Sequence, residues 1–301
     1  AVGDPEFIGK ELQRLAEDRR RWDAGNCQGP GLVACGERTD GEVGPLAKAG
    51  CADYIMQAFS GFARVNGAPG ETLEAFRFTG FLDLTTASVA TEAVLAAVLE
   101  RELGGAGQKV EVSMLEAALE IQSTRIAEYL GGGLIPQPRG SESPALAPDR
   151  AFATLDHEVF VTAHNDAEFA GFCRALEMPQ LAEDARFRTN RLRVENRDAL
   201  TAEVAPVFLK RPAIWWQRVM QREGVACTQG FSFETFRHHQ QVVDNDMIAN
   251  VATRDWGTVS VAGTPWHFAQ TPCAVREPPR PGEDTAAVMA DLAARRQKGA
   301  A

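Results

Sequence analysis

The residue whose surroundings best suit covalent chemistry is Asp83. It stands in Thr79-Gly80-Phe81-Leu82-Asp83-Leu84-Thr85-Thr86, just ahead of a long apolar-periodic stretch. With Thr85 or Thr86 as N-cap, the carboxylate falls near the positive end of a helix dipole, where negative charge is stabilised. Phe81 and Leu82 make its flank apolar, and Gly80 lets the backbone turn closely. A carboxylate in such a place can attack an acyl carbon and carry an acyl or thioester group. The plainer reading is an acidic residue that complements a helix start, and local sequence alone favours it.

The other candidates are weaker. His157, His164, His238, His239 and His267 show no zinc-type spacing with Cys, Asp or Glu, so no metal site is expected. Neither a G-x-S-x-G elbow nor a phosphate-binding G-x-x-x-x-G-K-[ST] loop is present. Gly131–Gly133 reads as a helix C-cap. Trp215-Trp216 reads as core and interface packing rather than a binding platform. The cluster Arg186, Arg188, Arg191, Arg193 and Arg197 reads as a solvated, salt-bridged face.

The elements around Asp83 are alternately helical and extended. Val94 with Val98, Leu95 with Leu99, and Leu103 fall on adjoining rows of a helix over 88–103, stopped by Gly104-Gly105. Lys109–Val112 alternates like a half-buried strand. Ser113 and Glu116 form a capping box that opens a helix to about Leu130. Upstream, 8–22 reads as a charged helix, Asn26–Gly31 as a break, Leu32–Cys35 as a buried strand and Glu37–Gly50 as a loop. The Pro-, Ser- and Gly-rich stretch 137–148 reads as a linker. Beyond it, Phe152–Val161 predicts a hairpin around Asp156-His157. Phe169, Phe172, Cys173 and Leu176, then Leu200, Val204 and Phe208, then Ile214, Arg218 and Val219 mark three helices, and 257–273 alternates again. This is α/β organisation: a large α/β domain from 8–138 and 274–301, with a smaller α+β domain over 139–273.

The 301 residues carry a formal charge of −10, which disfavours nucleic-acid partners. No apolar run is read as approaching a membrane span, and no basic or apolar leader opens the chain. Six scattered cysteines without a C-x-x-C pair favour a reduced, cytoplasmic setting over a disulfide framework. Gly3-Asp4-Pro5-Glu6-Phe7 reads like translated restriction sites, which sets residues 1–7 aside as a cloning remnant.

Taken in order, several segments resemble the family III (CaiB/BaiF-type) CoA-transferases. Asp53–Gly61 (DYIMQAFSG) is similar to the family's YD-x-x-x-QA-x-SG segment. The Asp83 segment follows, then Gly104–Ser113 (GGAGQKVEVS) resembles TGxGQxVxVS and Met114–Ala118 the MLDAA helix start. Ala147-Pro148 through Phe152, Thr154 and Asp156 resembles APYxxFxTADG, and Leu181–Arg193 (LAEDARFRTNRLR) resembles LAxDPRFxTNxxR. Gly263-Thr264-Pro265 and Pro278–Thr285 resemble the closing elements. The resemblance spans about residues 30–292.

It implies a large α/β domain plus a small one, in two subunits threaded through each other like linked rings. It also implies an enzyme that moves CoA from an acyl-CoA donor to a carboxylate acceptor, with no permanently bound cofactor and the CoA thioester as substrate. Asp83 matches the family's nucleophilic aspartate, which passes through a mixed anhydride and an aspartyl-CoA thioester. Gln57, Gly80, Phe81, Arg139 and Asp149 are the positions to which the resemblance carries substrate or CoA contacts, and backbone N–H groups at the helix start are expected to stabilise oxyanions. Three departures shape the expectation. The family's nucleotide-type N-terminal half of over a hundred residues is entered only near its end, at about Leu32, which suggests truncation, a partner chain supplying that half, or a member without full CoA binding; a non-catalytic, partner-dependent subunit is the alternative function. Asp149, followed by Arg150, replaces the family tyrosine. The glycine-rich loop of formyl-CoA transferases is replaced by Arg139–Pro144, which argues against oxalate and formate. Racemases of the same fold place a histidine where this chain has Ala52, so that alternative lacks its second base.

Overall fold

A computed structural model describes residues 34–38, 45–46 and 50–299. The cloning remnant expected at residues 1–7, the helix over 8–22 and the break at 26–31 fall outside them, as do Leu32, Val33 and most of the 37–50 loop. Strand β1 (Ala34–Arg38) pairs in parallel with β2 (Lys109–Ser113), in register from Ala34↔Lys109 to Arg38↔Ser113. Helices α1 (Asp53–Phe59), α2 (Phe62–Val65) and α3 (Phe81–Glu102) lie between them in sequence. A parallel pair requires a crossover of this kind, and α3 packs on both strands.

Half of the expected capping box is present: the Ser113 Oγ accepts the Glu116 N–H at 3.1 Å, while the Glu116 carboxylate accepts from the Ser113 hydroxyl at 2.7 Å in place of the backbone N–H. The helix it opens is broken, however, into α4 (Met114–Ile121) and α5 (Ser123–Gly132). The cause is Gln122. Its buried side-chain amide donates to Ala118 O at 2.8 Å, the acceptor its own backbone N–H would ordinarily use, and that N–H turns to Leu119 O instead.

Helix α3 begins at Phe81, not near Ser88, so Asp83 lies inside a helix rather than in a loop before it. Thr85 and Thr86 are not N-caps, since their hydroxyls bond back to the carbonyls of Phe81 and Leu82. By length and composition α3 is also apolar enough to cross a membrane, which corrects the reading that no run approaches a span. Asp83 and Glu92 interrupt the run without making it polar on average. In this fold the helix buries Leu82, Thr86 and Ala97, whereas Leu95 and Leu99, one of the rows picked out by helical spacing, are exposed.

Among the described residues, those from Ala34 to Gln229 belong to one compact unit and those from Gly230 to another. Compactness thus divides the described chain at 229/230 and does not itself draw a boundary at 139. The first unit holds two cores. The smaller joins Met56, Leu82, Met114 and Ala118. The larger lies under an antiparallel sheet of β3 (Asp149–Ala153), β4 (Glu158–Thr162) and β5 (Ala226–Gln229), in the order β3-β4-β5. Val159 and Val161 point inward at alternate positions, against α6 (Asp166–Ala175), α9 (Arg197–Phe208) and α10 (Ala213–Arg222). Phe208 is its centre, stacked on Phe152 at 4.5 Å and set against Trp216 at 4.8 Å. Gly171 lets α6 meet the end of α10, because a Cβ there would lie 2.5 Å from Glu223 O. Short helices α7 (Gln180–Glu183) and α8 (Asn190–Glu195) complete this layer.

The arginine cluster is absorbed by structure. Arg186 pairs with Asp184 and Glu203, Arg191 with Glu195, and Arg197 with Glu142. Arg193 is fully buried; it donates to Ala147 O at 2.7 Å and Phe187 O at 3.0 Å, and lies over the Phe169 ring.

The second unit contains α11 (Phe233–Phe236), α12 (Gln240–Asp244), the hairpin β6 (Ile248–Thr253) to β7 (Gly257–Ala262), and α13 (Thr285–Gly299). Arg254, in the hairpin turn, pairs with Glu277 and Glu283 and so ties the turn to the segment before α13.

Two outcomes follow for the larger core. Phe208→Ala should cost about 3–5 kcal/mol, read from the urea midpoint at unchanged slope. Asp156 accepts the Ala213 N–H at 2.8 Å, and chiefly this bond holds its carboxyl below the ordinary 3.8. A depressed folded value means stabilisation that is present above pH 3.8 and lost as pH falls below it. Asp156→Asn should therefore lower the melting temperature at pH 7, with the gap to the parent closing under acid.

Candidate functional site

The site is built on the first turn of α3. A helix start leaves backbone N–H groups without partners, and an N-cap side chain usually accepts from them. Here the N-cap is Gly80, which has no side chain. The acceptor comes instead from α1. Asp53, 4% exposed, takes the N–H of Leu82 at 2.6 Å and that of Asp83 at 3.1 Å, both on Oδ2. Its Oδ1 accepts from the side-chain amide of Gln57, one helical turn on. Gln57 is fully buried and also brackets Phe76, donating to its carbonyl at 3.0 Å and accepting its N–H at 2.7 Å.

One network thus fixes three pieces: the first turn of α1, the strand-like run through Phe76, and the start of α3. Met56 and Leu82, neighbours of the polar pair, seal it from below in the small core. A buried carboxylate is costly unless hydrogen-bonded, and this one has three donors.

Asp83 occupies the third position of the helix and faces solvent. Its carboxylate folds back toward Gly80, where an added Cβ would stand 2.7 Å from Oδ2 and 3.2 Å from the Asp83 Cβ. Glycine at 80 therefore leaves room for the carboxylate as well as for the turn. Phe81 stacks on Phe62 at 5.5 Å and meets Phe76 edge-on at 5.9 Å, so one side of the helix start is an aromatic wall. The arrangement presents an accessible carboxylate on a rigid helix turn beside a flat apolar surface.

Four sequence-selected residues, Asp83, Gly80, Phe81 and Gln57, belong to this one constellation. Gln57 holds backbone in place, with its polar atoms already engaged. Arg139 stands 3.8 Å from Glu142, beside Gly140, whose N–H donates to Gly67 O in the loop after α2. Asp149 lies on β3 and accepts from the Thr162 hydroxyl at 2.8 Å, a cross-strand contact of the other sheet. The expected oxyanion donors need correction too: the N–H groups of Leu82 and Asp83 are committed to Asp53. Sequence reasoning gave Asp53 no role. Its one local signal was a glutamine four residues on, which a helix brings alongside.

Two substitutions probe this geometry. Asp53→Ala leaves two backbone donors and the Gln57 amide without their acceptor and should destabilise by about 1–3 kcal/mol, measured by denaturant unfolding. Gly80→Ala should displace the Asp83 side chain while leaving the far-ultraviolet circular dichroism unchanged; a crystal structure with Asp83 unmoved would contradict the steric argument.

Comparison with known proteins gives this geometry a context. The model of CoA-transferase family III matches residues 11–285, beginning earlier than the motifs read from about residue 30. A succinyl-CoA:glutarate CoA-transferase of Mus musculus is 26% identical over 250 residues, covering 83% of this chain and 57% of its own. An acetyl-CoA:oxalate CoA-transferase of Acetobacter aceti is 30% identical over 196 residues, covering 65% and 50%. The crystal structure of Rv3272 from M. tuberculosis is 25% identical with a TM-score of 0.75, covering 89% of this chain and 70% of that one. A CAIB/BAIF family protein from Brucella suis shares the fold at 24% identity and a TM-score of 0.74, covering 87% and 68%. The chain spans about three fifths of the length of the curated relatives it matches. With nearly its whole length matched by the family model and its mixed α/β fold shared with solved members, the chain belongs to CoA-transferase family III.

Proposed function

We propose that the protein moves CoA between organic acids, with Asp83 as the nucleophile. The observation that carries this reading is the solvent-facing Asp83 carboxylate on a helix turn fixed by Asp53, with no side chain at Gly80 to crowd it. Membership of the family supplies the reaction class.

The chemistry balances without an external energy source. An Asp83 oxygen attacks the thioester carbon of the donor; the C–S bond breaks, giving a mixed anhydride and CoA thiolate. The thiolate then attacks the Asp83 acyl carbon, releasing the donor acid and leaving an aspartyl-CoA thioester. The acceptor carboxylate attacks that carbon, giving a second anhydride and thiolate. Attack of the thiolate on the acceptor's acyl carbon yields the new acyl-CoA and frees Asp83. One thioester is exchanged for another, and the covalent steps divide the barrier. CoA thioester is thus a substrate, not a resident group. The rigid helix turn limits the freedom the carboxylate must lose on reaching the thioester. Ala52, the cap of α1, offers no proton-transfer group, which disfavours racemase chemistry at this site.

The test is intact-protein mass after incubation with a panel of acyl-CoAs, followed by hydroxylamine trapping and peptide mapping. A covalent change at Asp83 is expected; succinate and glutarate serve as first acceptors, with oxalate, disfavoured by the Arg139–Pro144 stretch, as the contrast. Asp83→Asn should fold normally, form no adduct and lose transfer by at least about three orders of magnitude. Undiminished turnover by that variant would remove Asp83 from the mechanism.

A further inference from the structure

One feature that the Asp83 site leaves unused is a cavity of about 500 Å³ between the end of α6 and the α9–α10 turn. Its size falls within the usual range for small-molecule sites. It shares no residue with the Asp83 constellation. The apolar part of its lining includes Met178, Val207 and the two indoles Trp215 and Trp216. The tandem tryptophans, read from sequence as packing, divide the work. Trp216 is buried and donates its indole N–H to Phe208 O at 2.8 Å. Trp215 is only half-buried, stands edge-on to Trp216 at 4.6 Å, and lines the opening.

The rim carries charge of one predominant sign. Lys210 and Arg211 are both exposed, and neither forms an ion pair among the described residues. Arg211 places its guanidinium over the Trp215 ring at 5.4 Å from the centroid. Glu177 is the one acid in the lining. Two cations thus stand against one acid here, on a chain whose formal charge is −10, while Arg186, Arg191 and Arg197 of the same layer have carboxylate partners. Two cations at the edge of an indole-walled cavity offer attraction for an anion and burial for a flat apolar body together.

We propose that this cavity is a second ligand site, for an organic anion with a flat apolar body such as an aromatic carboxylate. The anionic group meets Lys210 and Arg211, and the ring lies against Trp215 and Met178. The site is independent of the reading of Asp83.

The probe is 2-naphthoate, titrated by calorimetry into the full chain, with acetate supplying the charge without the body and 2-naphthamide the body without the charge. Saturable binding of one 2-naphthoate per chain is expected, at least tenfold tighter than either control. Lys210→Ala combined with Arg211→Ala should weaken it about tenfold or more, and Trp215→Leu likewise. Lys210 and Arg211 are exposed and Trp215 is half-buried, and an unchanged melting temperature would show that the variants fold. Absence of saturable binding would overturn the proposal, as would equal binding of the amide or affinity unaffected by both variants. Because Asp83→Asn leaves this cavity intact, 2-naphthoate should bind that variant as well as the parent; loss of binding there would place the probe at Asp83 instead.

Discussion

The carboxylate of Asp53 on the N-terminus of α3 is the contact from which the rest of the candidate site takes its position. A helix beginning with glycine has no local means of satisfying its first donors. Supplying the acceptor from another element converts a fraying end into a fixed point. It also joins polar and apolar packing, because the residues next to the pair, Met56 and Leu82, are half of the small core. The same contact excludes two backbone N–H groups from any other duty.

Gly80 and Asp53 solve complementary problems. Glycine removes the Cβ that would occupy the Asp83 carboxylate's space, at the cost of the cap that a serine or aspartate would provide. Asp53 restores the cap from outside. Gln57 then restricts Asp53 and carries the constraint to Phe76, whose ring contributes to the wall against Phe81. Carboxylate, glycine and aromatic surface are therefore mechanically linked through side chains on three segments.

Much of this fold was legible in local pattern, and the misreadings have physical causes. The Ser113 cap, the hairpin at Asp156-His157 and the inward face of Phe169, Phe172 and Cys173 depend on neighbours within a turn or two. The start of α3 was misplaced because its cap lies thirty residues upstream, beyond what any window around Thr85 contains. The break at Gln122 was missed because a glutamine is ordinarily a good helix former; only its burial sends the side chain to Ala118 O. Leu95 and Leu99 have helical spacing, but spacing does not say which apolar row faces the core. Of the site, the ordered motifs indicated Asp83, Gly80, Phe81 and Gln57, while Asp53 required the tertiary contact to be seen.

The glycine cap has a further consequence for how the molecule is assembled. A short helix segment carrying Gly80 and Asp83 lacks the acceptor that completes its first turn, so the turn gains its order only when α1 has docked. The geometry around Asp83 is then coupled to the docking of α1 rather than a property of the nearby chain. Every excursion that lifts α1 from the small core also releases the end of α3. The way Asp83 is presented and the integrity of that core are coupled through one carboxylate.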